Sequence, residues 1–293
     1  MKTIVIIGQG QLGHELTKRH LAADDSVISV SRTAHKNLSR AHQHLEADLD
    51  SLEKSLPIPE SIHTLYYLAP PSTIDLSDHR MTAFLSSTNC LSISHIIYIS
   101  TSGVYGDSQG NWVTENSAVA PAAERAKRRL SAEQQLHDFQ QAHGSSITIL
   151  RCGAIYSSKT INLTRIQSNQ KPVIKPEQAP YTNRIHLDDL TEVCWQAMLN
   201  PADNVEIYNV SDGQPSTTTD FAWLLSDLTG IKRSDIIDIY EANNYYSPAY
   251  MSYLLESKRL DISKLLNSLN PCFKYQNIEE GIKACLNQKE DLL

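Results

Sequence analysis

The fold of this chain is decided by residues 4–13, Ile-Val-Ile-Ile-Gly-Gln-Gly-Gln-Leu-Gly. The apolar run predicts a buried strand, and the glycine-spaced turn after it opens a helical segment over residues 11–23. Gly8 permits a tight turn, Gly10 a close approach of backbone to pyrophosphate, and Gly13 the packing of helix on strand. Gln11 and Leu12 begin the helix, whose N-terminus supplies amide donors. The pattern predicts a dinucleotide site, the alternative being a glycine-rich turn without a ligand.

Short apolar runs alternate with helix-like segments through the first half of the chain, as in a parallel sheet covered on both faces. The runs are residues 3–7, 26–30, 62–68, 94–100 and 146–151, with a weaker candidate from Leu45 to Leu49. Pro121 to His143 carries a narrow apolar stripe and predicts a long surface helix. We expect an α/β fold with a Rossmann-like, doubly wound parallel sheet.

This rhythm changes after about residue 156, where polar, turn-rich stretches interrupt the helices. Short strands are predicted over 185–190 and 205–210, and a helix over 220–228 between Thr217–Thr219 and Gly230. We expect residues 1–156 to form the cofactor domain, with a strand near 184–189 returning to it. Residues 157–293 then form mainly a smaller α/β substrate domain.

Composition excludes several classes of function. A net charge of -7 and a pI near 5.9 argue against a nucleic-acid partner. The apolar start is too short for a membrane span and does not resemble a signal peptide, so we expect a cytoplasmic protein. Neither the cysteines nor the histidines have metal-site spacing, which predicts buried thiols and, for His35, His42 and His44, a solvated helix face.

The second predicted strand ends in Ser31-Arg32 instead of the acidic residue that accepts hydrogen bonds from a ribose 2′-hydroxyl. Ser31 can donate to a 2′-phosphate and Arg32 can fork onto it, which favours NADP(H) over NAD(H). The alternative is that Arg32 is a solvated residue at a strand end. Asp48 is placed either to bond the adenine amino group or to cap a helix. Ala69 and Pro70, after the strand at 62–68, complete the predicted cofactor site.

Several motifs further along the chain share one family pattern. They are Ser100–Gly106 with its Val-Tyr-Gly ending, Leu150–Tyr156, Asn183–Asp189, Tyr208–Gly213 and Ser257–Arg259. Together with the glycine loop, they resemble the extended and atypical short-chain dehydrogenases/reductases of the NAD(P)-dependent epimerase/dehydratase family. The resemblance implies a small polar substrate, such as a nucleotide sugar. A homodimer through the two helices flanking strand five is typical of this family.

Hydride transfer in the resembled family uses a Tyr-x-x-x-Lys pair and a Ser or Thr hydroxyl that bonds the substrate oxygen. The matching positions are Thr101 for the hydroxyl, Arg125 for the tyrosine and Arg129 for the lysine. Arginine stays protonated and cannot shuttle a proton near neutral pH. A donor from elsewhere has to substitute, and the candidates are Tyr105, Tyr156 and Tyr181. The dehydratases' acidic pair falls on Ser102 and Gly103, which disfavours sugar 4,6-dehydration.

Arg125 and Arg129 lie four residues apart, on one helix face. They either belong to a solvated face or point at the cofactor. Candidates for the substrate pocket are Tyr156, Arg165, Arg184 and His186, of which Arg165, Arg184 and His186 have structural salt bridges as the alternative.

Two functions follow from this sequence. One is an NADP(H)-dependent oxidoreductase or epimerase acting on a carbonyl or hydroxyl of a small polar substrate. The other is a catalytically inactive NADP(H)-binding sensor or interaction protein, which the arginines at 125 and 129 favour.

Overall fold

The computed structural model describes residues 1–52, 56–87, 92–161, 163–168 and 170–287. Its strands are β1 (Thr3–Ile7), β2 (Ser26–Ser31), β3 (His42–Glu46), β4 (Ser61–Tyr67), β5 (Ser92–Thr101), β6 (Trp112–Val113), β7 (Ser146–Cys152), β8 (Ala154–Tyr156), β9 (Val173–Ile174), β10 (Tyr181–Thr182), β11 (Arg184–His186), β12 (Val205–Val210), β13 (Ser216–Thr217), β14 (Ile236–Ile237) and β15 (Arg259–Leu260). Its α-helices are α1 (Gln11–Ala22), α2 (His79–Ser87), α3 (Glu124–His143), α4 (Leu163–Ser168), α5 (Leu187–Leu199), α6 (Thr218–Thr229), α7 (Pro248–Leu254), α8 (Ser263–Leu269) and α9 (Ile278–Asn287).

Seven strands of the described chain form one parallel sheet, in the order β12-β7-β5-β4-β1-β2-β3. The predicted Rossmann-like α/β fold is therefore confirmed. The strand order reverses beside β1, and in open parallel sheets a crevice for ligands forms at such a point, beyond the carboxyl ends of the strands. The glycine loop follows β1 directly, so it lies at this crevice.

The sheet is buried on both faces, which explains why β1 is apolar without alternation. Side chains of a strand point to opposite faces in turn. Ile4 and Ile6 pack with α1 and α5 on one face, whereas Val5 and Ile7 pack with α2 and α3 on the other. All four residues are at most 1% exposed.

The third strand lies three residues before the predicted one. It covers His42–Glu46, and the expected solvated helix face is wrong for His42 and His44. Ser29 Oγ lies 2.8 Å from both His42 Nε2 and His44 Nδ1. Because β3 contacts β2 through these polar side chains, its sequence lacks the apolar periodicity that predicts a strand.

Predictions for the second half are partly confirmed. The strand at Val205–Val210 is confirmed, and it pairs with β7 as the seventh strand of the main sheet. The strand predicted over 185–190 is wrong beyond His186, because His186 Nδ1 accepts a hydrogen bond from the Asp188 amide and caps α5. α6 has the predicted signals, a capping box from Thr217 to Asp220 and a left-handed Gly230.

The remaining strands form small two-stranded sheets, β6 with β15, β8 with β11, β9 with β14 and β10 with β13. The division of the chain into two domains at residue 156 stays a prediction. Among the described residues, none of the helices has both the length and the hydropathy of a membrane-spanning segment.

Candidate functional site

The three glycines of the loop meet three different surroundings. Gly8 has a φ of +108°, and a Cβ there would lie 2.9 Å from the Ala69 amide nitrogen. A Cβ on Gly13 would lie 2.2 Å from the Gly8 carbonyl oxygen. A Cβ on Gly10 would meet no atom within 4 Å. Gly8 and Gly13 therefore serve packing, whereas Gly10 leaves an open face.

That open face lies at the N-terminus of α1. Gly10 caps the helix without a side-chain hydrogen bond, and the first turn holds no acidic residue. Unpaired amides and the helix dipole together attract an anion. Gln11 is held by Ser157, whose Oγ lies 2.6 Å from Gln11 Oε1. The loop therefore presents its amides to a groove bounded by fixed side chains.

Beside the end of β2 lies a cavity of about 230 Å³, which we call the β2-side cavity. Its lining includes the predicted cofactor residues Gly8, Gly10, Ser31, Arg32, Asp48, Ala69 and Pro70. Ser31 Oγ donates to the Thr33 carbonyl at 2.9 Å. Exposed Arg32 forms no ion pair or hydrogen bond within the described residues. Its guanidinium is thus open to a ligand.

Asp48 has the capping role, one of the two alternatives that the sequence left open, while its bond to the adenine amino group stays a prediction. Its Oδ1 accepts from the Asp50 amide at 3.1 Å and caps a 3-10 turn, while the residue also lines the β2-side cavity. Arg80 also lines this cavity and pairs with Asp50 at 2.5 Å. Sequence reasoning missed Arg80, because it lies on α2 without a local motif.

A second cavity, here the central cavity, measures about 340 Å³ and runs from the glycine loop to Arg129 and Ser157. Arg129 Nη1 donates to the Ile99 carbonyl at 2.8 Å and to Tyr98 Oη at 3.2 Å. In the described chain all hydrogen bonds of its guanidinium start from Nη1, so Nε and Nη2 form none. Arg129 therefore braces the end of β5 and retains donors beside the loop, which excludes the solvated-face alternative for this residue.

A third cavity of about 210 Å³, the Thr101 cavity, lies next along the ends of β5 and β7. Thr101, Arg125 and Tyr181 line it, so the structure brings three predicted catalytic candidates together. Thr101 Oγ1 accepts from the Gly103 amide at 3.2 Å. Arg125 Nη1 donates to Ser252 Oγ at 2.5 Å, linking α3 to α7.

The Thr101 cavity also contains an ion pair that sequence reasoning did not assign to the site. Lys258 Nζ lies 3.0 Å from Glu256 Oε2, and both side chains are at most 7% exposed. Glu256 Oε1 is buried without a hydrogen-bond partner. Ser257–Arg259 matched the family's C-terminal pattern, which was the available signal, but that pattern does not indicate where the residues lie.

Tyr105, a candidate replacement donor, is committed to a buried network. Its hydroxyl donates to Asn209 Oδ1 at 2.7 Å and accepts from Arg151 Nη1 at 3.1 Å. Burial raises the pKa of Tyr105. Arg151 is itself paired with Glu133 at 2.7 Å. Tyr105 therefore supports the sheet edge and does not line the Thr101 cavity.

Three of the residues predicted for the substrate pocket lie outside the Thr101 cavity. Tyr156 packs its hydroxyl against Gly281 of α9, where a Cβ would lie 2.1 Å away. Arg184 donates to Ser216 Oγ at 2.9 Å, with its guanidinium 3.9 Å from the centre of a phenylalanine ring. His186 caps α5 and borders a groove beside α1. None of the three lines the Thr101 cavity, and the side chain of Arg165 lies outside the described residues.

Comparison with known proteins places the chain in a family. The model of the NAD dependent epimerase/dehydratase family matches residues 4–211, and the chain belongs to that family. The family resemblance predicted from the motifs is thereby confirmed.

Individual relatives are more distant. The uncharacterized UDP-glucose epimerase YtcB of Bacillus subtilis strain 168 is 35% identical over 68 residues, which is 23% of this chain and 21% of that protein. A functionally unknown conserved protein from Silicibacter pomeroyi superposes with a TM-score of 0.82 at 23% identity, covering 99% of this chain and 100% of that one. MoeE5 in complex with UDP-glucose and NAD gives 0.78 at 16% identity, with the same coverage. These structures share the fold.

Proposed function

We propose that this protein is an NADP(H)-dependent oxidoreductase or epimerase that acts on a hydroxyl or carbonyl carbon of a nucleotide sugar. The observation that carries the proposal is the adjacency of the central and Thr101 cavities. Ile99 lines the central cavity, and Thr101, two residues later on β5, lines the Thr101 cavity. On β8, Ile155 lines the central cavity and the preceding residue, Ala154, lines the Thr101 cavity. A substrate beside Thr101 therefore adjoins a cofactor bound along the glycine loop. UDP-glucose appears in the descriptions of similar proteins, among them the YtcB relative and the MoeE5 complex.

The residues present fit a nicotinamide dinucleotide. The open face of Gly10 and the uncapped start of α1 suit a pyrophosphate, and the β2-side cavity suits an adenosine. When bound, this cofactor accepts and returns a hydride. Thr101 provides a hydroxyl for the substrate oxygen, and Arg129 holds anionic or hydroxyl groups with its remaining donors.

The preference for NADP(H) rests on the end of β2. Neither Ser31 nor Arg32 is acidic, so the end of β2 has no carboxylate to repel a 2′-phosphate. The Arg32 guanidinium is open toward the β2-side cavity. A charge-assisted pair with phosphate is worth about 1.5–3 kcal/mol, or about tenfold to a hundredfold in affinity.

Thermal-shift titration with NADPH, NADP, NADH and NAD tests this preference. We expect R32A to bind NADPH about tenfold to a hundredfold more weakly than the wild type, with its affinity for NADH unchanged. R40A is the matched control, since Arg40 is exposed on the same loop but does not line the β2-side cavity. Equal stabilisation of the wild type by all four cofactors would refute the preference.

A catalytically inactive NADP(H) sensor is the second candidate, and Arg125 and Arg129 at the tyrosine and lysine positions favour it. Turnover of UDP-glucose by the wild type excludes it. Turnover that appears only in the R125Y/R129K double variant establishes it instead.

We further propose a cytoplasmic location and, as is typical of the resembled family, a homodimer assembled through the helices before and after β5, which are α2 and α3. We propose this assembly, together with a substrate-binding role for most of residues 157–293. Light scattering of the purified protein tests the dimer, and a monomer mass excludes it.

A further inference from the structure

The Glu256–Lys258 pair is an incomplete polar site. An ammonium group carries three N–H donors, and Lys258 forms one side-chain hydrogen bond within the described residues, to Glu256 Oε2 at 3.0 Å. Glu256 Oε1 is buried and accepts none. Buried ionic groups are costly unless their remaining donors and acceptors are satisfied. Because the pair lines the Thr101 cavity, an occupant of that cavity can complete it.

Asn183 anchors the backbone at Lys258 and Leu260. Asn183 Nδ2 donates to the Lys258 carbonyl at 3.0 Å, and Asn183 Oδ1 accepts from the Leu260 amide at 2.8 Å. Asn183 also lines the Thr101 cavity. A lysine whose backbone is anchored by Asn183 and whose ammonium is held by Glu256 can present a proton at one position, which general acid–base catalysis requires.

We propose that Lys258 is the catalytic residue that exchanges a proton with the substrate oxygen held by Thr101, in place of the missing tyrosine, and that Glu256 positions its ammonium group. This rests on the proposed function. Glu256 Oε1 then accepts a hydrogen bond from a neighbouring hydroxyl of the sugar.

The chemistry of the residue types supports this substitution. A lysine ammonium and a tyrosine phenol give up a proton at similar pH, with ordinary pKa values of about 10.4 and 10. In the oxidation direction, the substrate hydroxyl transfers its proton to the neutral amine of Lys258. With a nicotinamide cofactor bound, the carbon beside it would release a hydride to that cofactor, so that the substrate would lose two electrons as a C=O bond forms. The reverse step returns the proton from the ammonium.

The other ionisable side chains around the cavity are weaker candidates. Arg125 of α3 stays protonated, and burial raises the pKa of Cys152 to about 12. Tyr181 of β10 is exposed and lies against Arg259, 4.8 Å from guanidinium to ring centre. Tyr253 of α7 also lines the cavity and is therefore the rival that an experiment has to separate.

The test compares wild type, K258R, E256Q and Y253F with NADP and either UDP-glucose or UDP-glucuronic acid, following epimer formation by NMR and absorbance at 340 nm. K258R keeps the charge but cannot shuttle a proton, so we expect kcat to fall about a hundredfold or more with cofactor binding retained. Y253F should retain at least about tenfold more activity than K258R. K264R, whose lysine pairs with Glu206 away from the site, should match the wild type.

E256Q reports on positioning. Without the carboxylate that orients the ammonium, kcat should fall while KM stays near its wild-type value, a split that a merely structural role does not produce. If K258R fails to fold, the double variant E256Q/K258M replaces it, because this change leaves no unpaired buried charge.

Full activity in K258R, or loss in Y253F alone, overturns the assignment of Lys258 and leaves the proposed function standing. A wild type that turns over neither sugar nucleotide, nor reduces NADP with them, overturns both.

Discussion

Two glycine replacements in the phosphate loop separate packing from cofactor binding. In G13A the new Cβ lies 2.2 Å from the Gly8 carbonyl oxygen, a backbone atom that cannot move aside alone. Such overpacking costs about 1–3 kcal/mol, beyond the ~1 kcal/mol that alanine gains over glycine in a helix. In G10A the new Cβ meets no atom within 4 Å, so the loss is below about 1 kcal/mol, from a poorer helix cap.

These free energies translate into melting temperatures. At about 2.1 cal/mol/K per residue, a chain of 293 residues unfolds with an entropy of about 0.6 kcal/mol/K. G13A should therefore melt about 2–5 °C below the wild type, and G10A less than about 2 °C below it. NADPH at 100 times its dissociation constant adds about 2.7 kcal/mol to the wild type, or about 4 °C.

The assay is thermal unfolding of both variants and the wild type, with and without NADPH. In G10A the methyl group occupies the place of the pyrophosphate, so we expect a loss of about a hundredfold in affinity for NADPH. The rise in melting temperature that NADPH causes should then be below about 1 °C. A G10A protein that NADPH stabilises as strongly as the wild type would refute the assignment of this face. A G13A protein with the wild-type melting temperature would refute the packing argument.

Two further predictions concern buried ionisable groups. E133Q removes the charge that pairs with buried Arg151, so the free energy of unfolding in urea should fall by about 3–5 kcal/mol. D227N, at an exposed surface pair, should leave that free energy close to the wild-type value, and equal losses in the two variants would contradict this reasoning. Burial lowers the pKa of His95 to about 4 in the folded protein, below the ordinary value of about 6.5. Between pH 6.5 and 4 the unfolded chain therefore binds a proton at His95 that the folded protein does not bind. Up to about 3 kcal/mol of the stability present above pH 6.5 is lost as the pH falls through this window. H95Q should lose less stability than the wild type between pH 7 and 5, and an unchanged pH dependence would sink this attribution.

Local sequence determined the phosphate loop and most of the sheet. Residues 4–13 carry a buried strand, a positive-φ glycine and a helix start within ten positions, and each signal depends on near neighbours in the chain. The same holds for the cap of α6 at Thr217 and Gly230. The family motif ending in Val-Tyr-Gly placed Thr101 at the end of strand five, because this motif also consists of near neighbours in the chain.

Tertiary structure alone decided which side chains share the Thr101 cavity. Lys258 lies 157 positions from Thr101, and nothing near it in sequence indicates that Asn183 and β6 hold it beside β5. Tyr156 and Tyr105 looked equally available as donors, yet packing on Gly281 and bonding to Asn209 bury them. Backbone conformation follows from short-range sterics and hydrogen bonds, whereas the burial and partners of a side chain depend on segments that only the folded chain brings together.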